Sequence, residues 1–116
     1  MPASANPPTV ISASATWNVG SEWGVLLVEF SKAMDEDEIR GNSMKLTGTS
    51  GDPIICNSYL LSSPTVKEYD FEGYEAGKAP YTLSYVEHPE EQYRAKAADG
   101  TYLQNFAGMP ITITEV

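Results

Sequence analysis

The chain has 116 residues and a mass of 12.6 kDa, enough to bury the core of one domain but short for an enzyme with its own cofactor site. Sixteen acidic residues against seven basic residues give a formal net charge of −9. Because this charge repels phosphate backbones and anionic membranes, we expect no nucleic-acid partner. No apolar run approaches the roughly 20 residues that span a bilayer, so we also expect no membrane insertion.

The first part of the chain predicts a lead-in, an edge strand, a loop and a buried strand. Residues 1–8 contain three prolines and small polar residues, which favour a disordered or extended lead-in. Thr9–Ser14 predicts the edge strand, and Trp17–Gly24, punctuated by glycine, asparagine and serine, predicts the loop. Val25–Phe30 predicts a buried strand in which alternate apolar residues share one face: Leu26, Val28 and Phe30.

Two short helical segments are predicted between the strands. Residues 35–40 predict one acidic helical turn, because aspartate and glutamate cap free N–H groups and suit the positive end of a helix. Residues 89–98 predict a short helix with proline at its start, good helix formers inside it and a glycine stop after it. We expect Tyr93 and Ala97 to pack this helix against one end of the strands.

Short strands recur through the rest of the chain, separated by turns rich in glycine, proline and serine. They are predicted at Ser43–Thr47, Ile54–Leu60, Thr65–Phe71, Tyr81–Val86 and Ile111–Val116. The pattern predicts a single all-β domain over residues 9–116, an antiparallel β-sandwich with at least seven strands. We expect its shared core to contain Leu26, Val28, Phe30, Leu46, Ile55, Leu83 and Ile113.

Several segments carry a family resemblance. Val28–Asp35 reads Val-Glu-Phe-Ser-Lys-Ala-Met-Asp, a strand that ends on Phe-Ser and leads through Met-Asp into a short turn. Pro8–Ser12 and Met44–Gly48 supply strands before and after it, and Glu75–Tyr85 supplies a strand that follows an Ala-Gly turn. Together these segments resemble the bacterial Ig-like domains found in S-layer and other cell-surface or secreted proteins.

The resemblance implies an Ig-like sandwich without catalytic activity, acting as a spacer or structural accessory module of a larger bacterial protein. It also implies an extracellular or cell-surface location, with other domains of the same polypeptide as partners, and we expect the module to be a monomer. Some members of the family bind calcium, and some neighbouring modules bind polysaccharide, so calcium and polysaccharide are the two ligands that the resemblance suggests.

The residues offer no arrangement typical of catalysis. His88 is the one histidine of the chain, and a histidine before Pro89 fits a cap or a solvated loop better than a general base without a partner. The single cysteine, Cys56, excludes an internal disulfide and fits a small buried hydrophobe in a strand. Without a phosphate-binding loop or a zinc-ligand spacing, we expect no enzyme and no cofactor.

The acidic run after Met34 raises the question of calcium. Calcium needs about six to eight oxygen ligands on a loop that wraps the ion. Asp35 and Asp37 are the candidate ligands, but neighbouring residues on a helical turn point in different directions. We therefore favour helix capping and a solvated acidic face, and expect calcium to bind weakly or not at all.

Aromatic residues in predicted turns give the best lead to a ligand. Trp17 and Trp23 bracket one predicted loop, and exposed rings stack on the C–H faces of sugars. With Tyr74 and Tyr102 they predict, as an alternative function, a carbohydrate-binding platform, and the net charge favours a neutral polysaccharide over a uronic-acid polymer. The competing interpretation is that one tryptophan plugs an end of the sandwich, since tryptophan is usually well buried.

Overall fold

The structure is a computed structural model that describes residues 6–35 and 44–116. These residues form an all-β domain with eight strands: β1 (Val10–Asn18), β2 (Trp23–Phe30), β3 (Met44–Thr47), β4 (Ile54–Ser63), β5 (Val66–Phe71), β6 (Tyr81–Tyr85), β7 (Phe106–Ile111) and β8 (Ile113–Glu115). Two single turns of 3-10 helix, Ala76–Lys78 and Glu91–Tyr93, complete the regular structure of these residues. Within the same ranges, no helix is long and apolar enough to cross a membrane.

The strands form one mixed sheet that curls into a nearly closed, barrel-like layer in the order β7-β6-β3-β4-β5-β2-β1-β8. Neighbouring strands are antiparallel except β1 and β8, which run in the same direction. Strand β4 joins the two halves of the sheet, since Cys56 pairs with Met44 of β3 and the next residue, Asn57, pairs with Asp70 of β5. The predicted all-β class is confirmed, and the β1–β8 pair makes the sheet mixed rather than purely antiparallel.

β1 and β2 form a tight hairpin where the sequence predicted a loop over Trp17–Gly24. β1 continues to Asn18 and β2 begins at Trp23, which leaves a four-residue turn. The Glu22 N–H donates to the Asn18 carbonyl at 2.8 Å, and the Ser21 N–H donates to the Asn18 side chain at 3.0 Å. The turn residues therefore mark a tight hairpin turn, and the predicted loop was too long.

The closing strand, predicted at Ile111–Val116, is two strands and begins earlier, at Phe106. β7 pairs with β6, and after Thr112 the chain crosses to the other half of the sheet, where β8 pairs with β1. β7 was not predicted because it contains Gly108 and Pro110, and glycine and proline are rare inside strands. Gly108 has a φ of 73°.

Residues 89–98 do not form the predicted helix. Ala95 and Ala97 are fully buried and alternate with charged residues, a period of two that is typical of extended chain. The backbone forms hydrogen bonds with distant segments: the Ala98 N–H donates to the Ala33 carbonyl at 2.9 Å. Burial and these tertiary hydrogen bonds outweigh the local helix propensity. The expected packing of Ala97 against the body of the domain is nevertheless observed.

The core lies inside the curled sheet. Five of the predicted core residues are fully or almost fully buried: Leu26, Val28, Phe30, Leu46 and Leu83. Ile113 is partly buried against them. Ile55 is 46% exposed, so its predicted core position was wrong. Because side chains alternate along a strand, the inward Cys56 turns Ile55 outward.

The end of the predicted lead-in is held against the body. Pro8 is buried, and the Lys32 ammonium donates a hydrogen bond to the Asn6 carbonyl. The predicted acidic turn over residues 35–40 lies outside the described residues except for Asp35, which is partly buried.

Candidate functional site

Trp17 faces the core at the end of β1 and is 7% exposed. Its ring stacks on Phe71 with centroids 5.8 Å apart, and Tyr74 lies 5.5 Å away on a tilted plane. Tyr74 in turn contacts Tyr81, with ring centroids 5.5 Å apart. These four rings form an aromatic cluster that closes this end of the sheet. Gly24, opposite Trp17, is needed there because a Cβ would lie 2.3 Å from the Phe71 ring.

Trp23 lies on the other side of the sheet, on its solvent face. It is 42% exposed and pairs with Asn18 at the start of β2. Trp17 and Trp23 are therefore neighbours in the hairpin, but they point to opposite faces because side chains alternate along each strand. The two tryptophans therefore do not form the predicted common platform. The competing interpretation, in which one tryptophan is buried at an end of the sandwich, describes Trp17.

Tyr74 borders an open groove beside the aromatic cluster. The groove has a volume of about 350 Å³, and glutamates supply most of its polar rim: Glu22, Glu72 and Glu75. Partial burial raises the pKa of the Tyr74 hydroxyl, and the nearby charge of Glu115 adds to the effect. The Lys78 ammonium offsets part of the acidity through an ion pair with Glu75 at 2.6 Å. Tyr74 thus contacts Trp17 inside and solvent outside.

Tyr102 lies at the opposite end of the sheet. It forms an isolated bridge with Lys96, next to the chain that follows β2, whereas Trp23 begins β2. The length of β2 separates these ends by about 24 Å. The Tyr102 hydroxyl donates to Glu91 at 2.6 Å, and this hydrogen bond raises its pKa. The four predicted sugar-stacking residues therefore occupy three separate environments.

Asp35 is engaged in structural contacts. Its N–H donates to the Lys96 carbonyl at 2.9 Å, and its carboxylate lies 3.4 Å from the Lys96 ammonium. Asp37 lies outside the described residues. Within the residues that the structure describes, no group of three or more histidine, cysteine or acidic side chains is arranged to hold a metal ion.

An ion pair between Lys32 and Asp99 was not predicted from the sequence. The Lys32 ammonium lies 2.8 Å from the Asp99 carboxylate, which also accepts from the Thr101 hydroxyl at 2.6 Å. These partners hold the pKa of Asp99 well below its usual range, with the Lys32 contact as the largest cause. The Asp-Gly-Thr sequence signals the local turn, but 67 positions separate it from Lys32, so the spacing gives no sign of the pair.

Two chemically reactive residue types are buried. Cys56 is fully buried, and burial, with a smaller contribution from the charge of Asp70, raises its pKa to about 12. The thiol is therefore a packing group, as the sequence predicted. Lys67 faces the core at 2% exposure, so its side chain does not lie on the solvent face.

His88 is a half-buried loop residue. Its Nδ1 accepts a hydrogen bond from the Glu90 N–H at 2.9 Å, and its ring meets Tyr93 edge-on at 5.0 Å. This geometry fits the loop role predicted for His88, with the ring nitrogen turned toward the backbone of Glu90.

A comparison of the chain with protein-family models finds no model that matches, and a comparison with curated proteins finds no match.

Proposed function

We propose that the chain is a noncatalytic accessory module with an Ig-like sandwich fold, a structural spacer in a larger bacterial surface or secreted protein. The observation that carries the proposal is the parallel pairing of the first and last strands, β1 and β8. Because the two strands run in the same direction, β1 begins at one end of the domain and β8 finishes at the other end.

Strand order supports the Ig-like assignment. A seven-stranded Ig-type sandwich places its first, second, fifth and fourth strands in one sheet and its third, sixth and seventh strands in the other. Here β1-β2-β5-β4 and β3-β6-β7 follow one another in the same order. β8 then corresponds to the second half of a seventh strand that is broken at Thr112.

The positions where β1 begins and β8 finishes support a role as a spacer between two neighbouring domains. At one end, the Ser31 N–H donates to the Thr9 carbonyl at 2.8 Å. At the other end, the Val116 N–H donates to the Trp17 carbonyl at 2.8 Å. The nine residues of β1 hold these points about 27 Å apart. A module with this path extends a polypeptide instead of folding it back.

Single-molecule force spectroscopy tests the spacer role. Pulling from the two termini loads the β1–β8 pair in shear, so its hydrogen bonds must break together. We expect Thr114→Pro to lower the unfolding force, because proline removes an N–H group that points toward β1. The Val116 N–H donates to the Trp17 carbonyl of β1, and residues two apart in a strand point their N–H groups to the same side. Glu115→Pro is the matched control, since its N–H points away from β1 and a proline is tolerated there. Equal forces for all three proteins would contradict the proposal.

Carbohydrate binding is the second candidate function, and the exposure of Trp23 is the observation that favours it. Affinity gel electrophoresis against a panel of polysaccharides tests it. Retardation that Trp23→Ala abolishes would support a binding module. Absence of retardation by every polysaccharide would leave the spacer function alone.

A further inference from the structure

The solvent side of β1, β2 and β5, here called the outer face, combines an apolar row with polar rows on both sides. Trp23, Val25 and Leu27 form the row on β2, and Trp23 and Leu27 are 42% and 39% exposed. On β1 the directly opposite residues are all exposed and polar: Asn18, Thr16 and Ser14. The outer face is thus a strip of ring and aliphatic surface beside hydrogen-bonding groups.

The β5 side of the outer face is acidic. Asp70 is directly opposite Val25, and Glu68 is directly opposite Leu27. Glu29 extends the apolar row and accepts a hydrogen bond from Ser12 at 3.5 Å. In β1, β2, β5 and β8, the one basic residue is the buried Lys67. The carboxylates of Glu29, Glu68 and Asp70 therefore share their side of these four strands with no basic side chain.

We infer that the outer face binds a polysaccharide that carries protonated amino groups, such as a glucosamine polymer; this rests on the carbohydrate-binding candidate above. A sugar ring stacks on the exposed face of Trp23. Asp70 lies diagonally across from Trp23, within reach of an ammonium group on the next part of the sugar chain. Hydroxyl groups of the sugar meet Thr16 and Ser14 on the other side.

Charge complementarity selects this ligand class over the neutral glycan that net charge alone favours. A neutral glycan gains stacking on Trp23 but offers no positive charge to the carboxylates of Glu68 and Asp70. An anionic glycan is repelled by the same groups, and a second copy of the domain would bring two acidic faces together. An ammonium-bearing sugar satisfies both the ring and the carboxylates.

Isothermal titration calorimetry with three hexamers tests the inference: hexaglucosamine, hexa-N-acetylglucosamine and cellohexaose. Their β-1,4-linked backbones are alike, and the group at C2 is an ammonium, an acetamide or a hydroxyl. At mildly acidic pH and low salt we expect hexaglucosamine to bind about tenfold more tightly than the neutral hexamers, since two or three exposed ion pairs add up to that ratio. Raising the salt concentration should reduce this advantage.

Variants separate the outer face from general attraction to an acidic protein. Trp23→Ala should weaken the binding of all hexamers, and Asp70→Asn should weaken hexaglucosamine selectively. Ile55→Ala removes an apolar side chain of similar exposure elsewhere, and Glu90→Gln removes a distant exposed charge. Both controls should bind like the wild type.

Each remaining outcome counts against the inference in a distinct way. Equal binding of hexaglucosamine and cellohexaose, lost in Trp23→Ala, would overturn the amino-sugar inference and keep carbohydrate binding. Binding of hexalysine as tight as hexaglucosamine and insensitive to Trp23→Ala would show charge attraction only. No binding of any hexamer would overturn both the amino-sugar inference and the carbohydrate-binding candidate, and it would leave the spacer function.

Discussion

The end of the sheet at the β1–β2 turn is closed by a cluster of four aromatic rings, whereas the opposite end combines buried side chains, among them Tyr85 and Leu103, with an ion pair on the surface. Trp17 and Phe71 bury large rings at the first end. At the second, Ala97 is buried and Lys32 pairs with Asp99 on the surface. Ring burial supplies a large, pH-independent stabilisation, while exposed ion pairs supply a small one that depends on pH and salt. The two ends should therefore respond differently to mutation.

The largest expected effect separates the two tryptophans. Trp17→Ala should lower the free energy of unfolding by about 3–5 kcal/mol, because it empties the centre of the aromatic cluster. Trp23→Ala should cost about 1 kcal/mol or less, because this ring is half in solvent. Urea unfolding followed by circular dichroism measures both values. Similar losses in the two variants would show that the faces of the hairpin are assigned wrongly.

A smaller loss of stability is expected from adding a methyl group at Gly24. Gly24→Ala places a methyl group against the Phe71 ring, and overpacking of this kind costs about 1–3 kcal/mol. Gly77→Ala is the matched control, since no atom from outside its own turn lies within 4 Å of the added Cβ position. Thermal unfolding of the two variants compares them. A Gly24→Ala protein as stable as Gly77→Ala would contradict the position of the Phe71 ring against Gly24.

The polar end predicts a weaker, pH-dependent effect. Asp99→Asn removes the Lys32 ion pair and should lower the melting temperature slightly at neutral pH. The folded-state pKa of Asp99 is depressed, so its contribution is present above the ordinary carboxyl pKa of about 3.9 and fades as the pH falls below it. Melting curves from neutral to acidic pH should converge for wild type and variant. Glu90→Gln serves as the control, and a difference that grows on acidification would refute the assignment.

Calcium should have the smallest effect. The carboxylate of Asp35 faces the Lys96 ammonium, which disfavours its use as a metal ligand. Millimolar calcium is therefore expected to leave the melting temperature of the wild type almost unchanged. A rise of many degrees that Asp35→Asn or Asp37→Asn abolishes would show that a calcium site exists.

The sequence predicted those strands whose apolar residues alternate without interruption. β2 and β6 are examples, because period two is a direct consequence of a sheet with one buried face. β7 was missed since its glycine and proline obscure that period. The apparent helix at residues 89–98 failed for another reason: local propensity favoured it, but burial of Ala95 and Ala97 on one side of an extended chain decided the outcome.

The candidate surface was less accessible to sequence reasoning than the strands. Spacing along the chain brought Trp17 and Trp23 together, but the tight turn between them puts their rings on opposite faces. Asp70 and Glu68 join Trp23 only through the pairing of β2 with β5, a contact between distant segments. Such pairings depend on sheet order, which hydrophobic periodicity does not encode.

Nuclear Overhauser contacts across β1 and β8 test the central claim, a chain that runs lengthwise through the domain, most directly. Parallel pairing predicts amide-to-Hα contacts linking Ala15 with Ile113 and Thr16 with Thr114 in one register. Their observation would establish the path on which the spacer function rests. Hα-to-Hα contacts between the same strands would indicate antiparallel pairing, and they would contradict both the strand order and the proposed role in series.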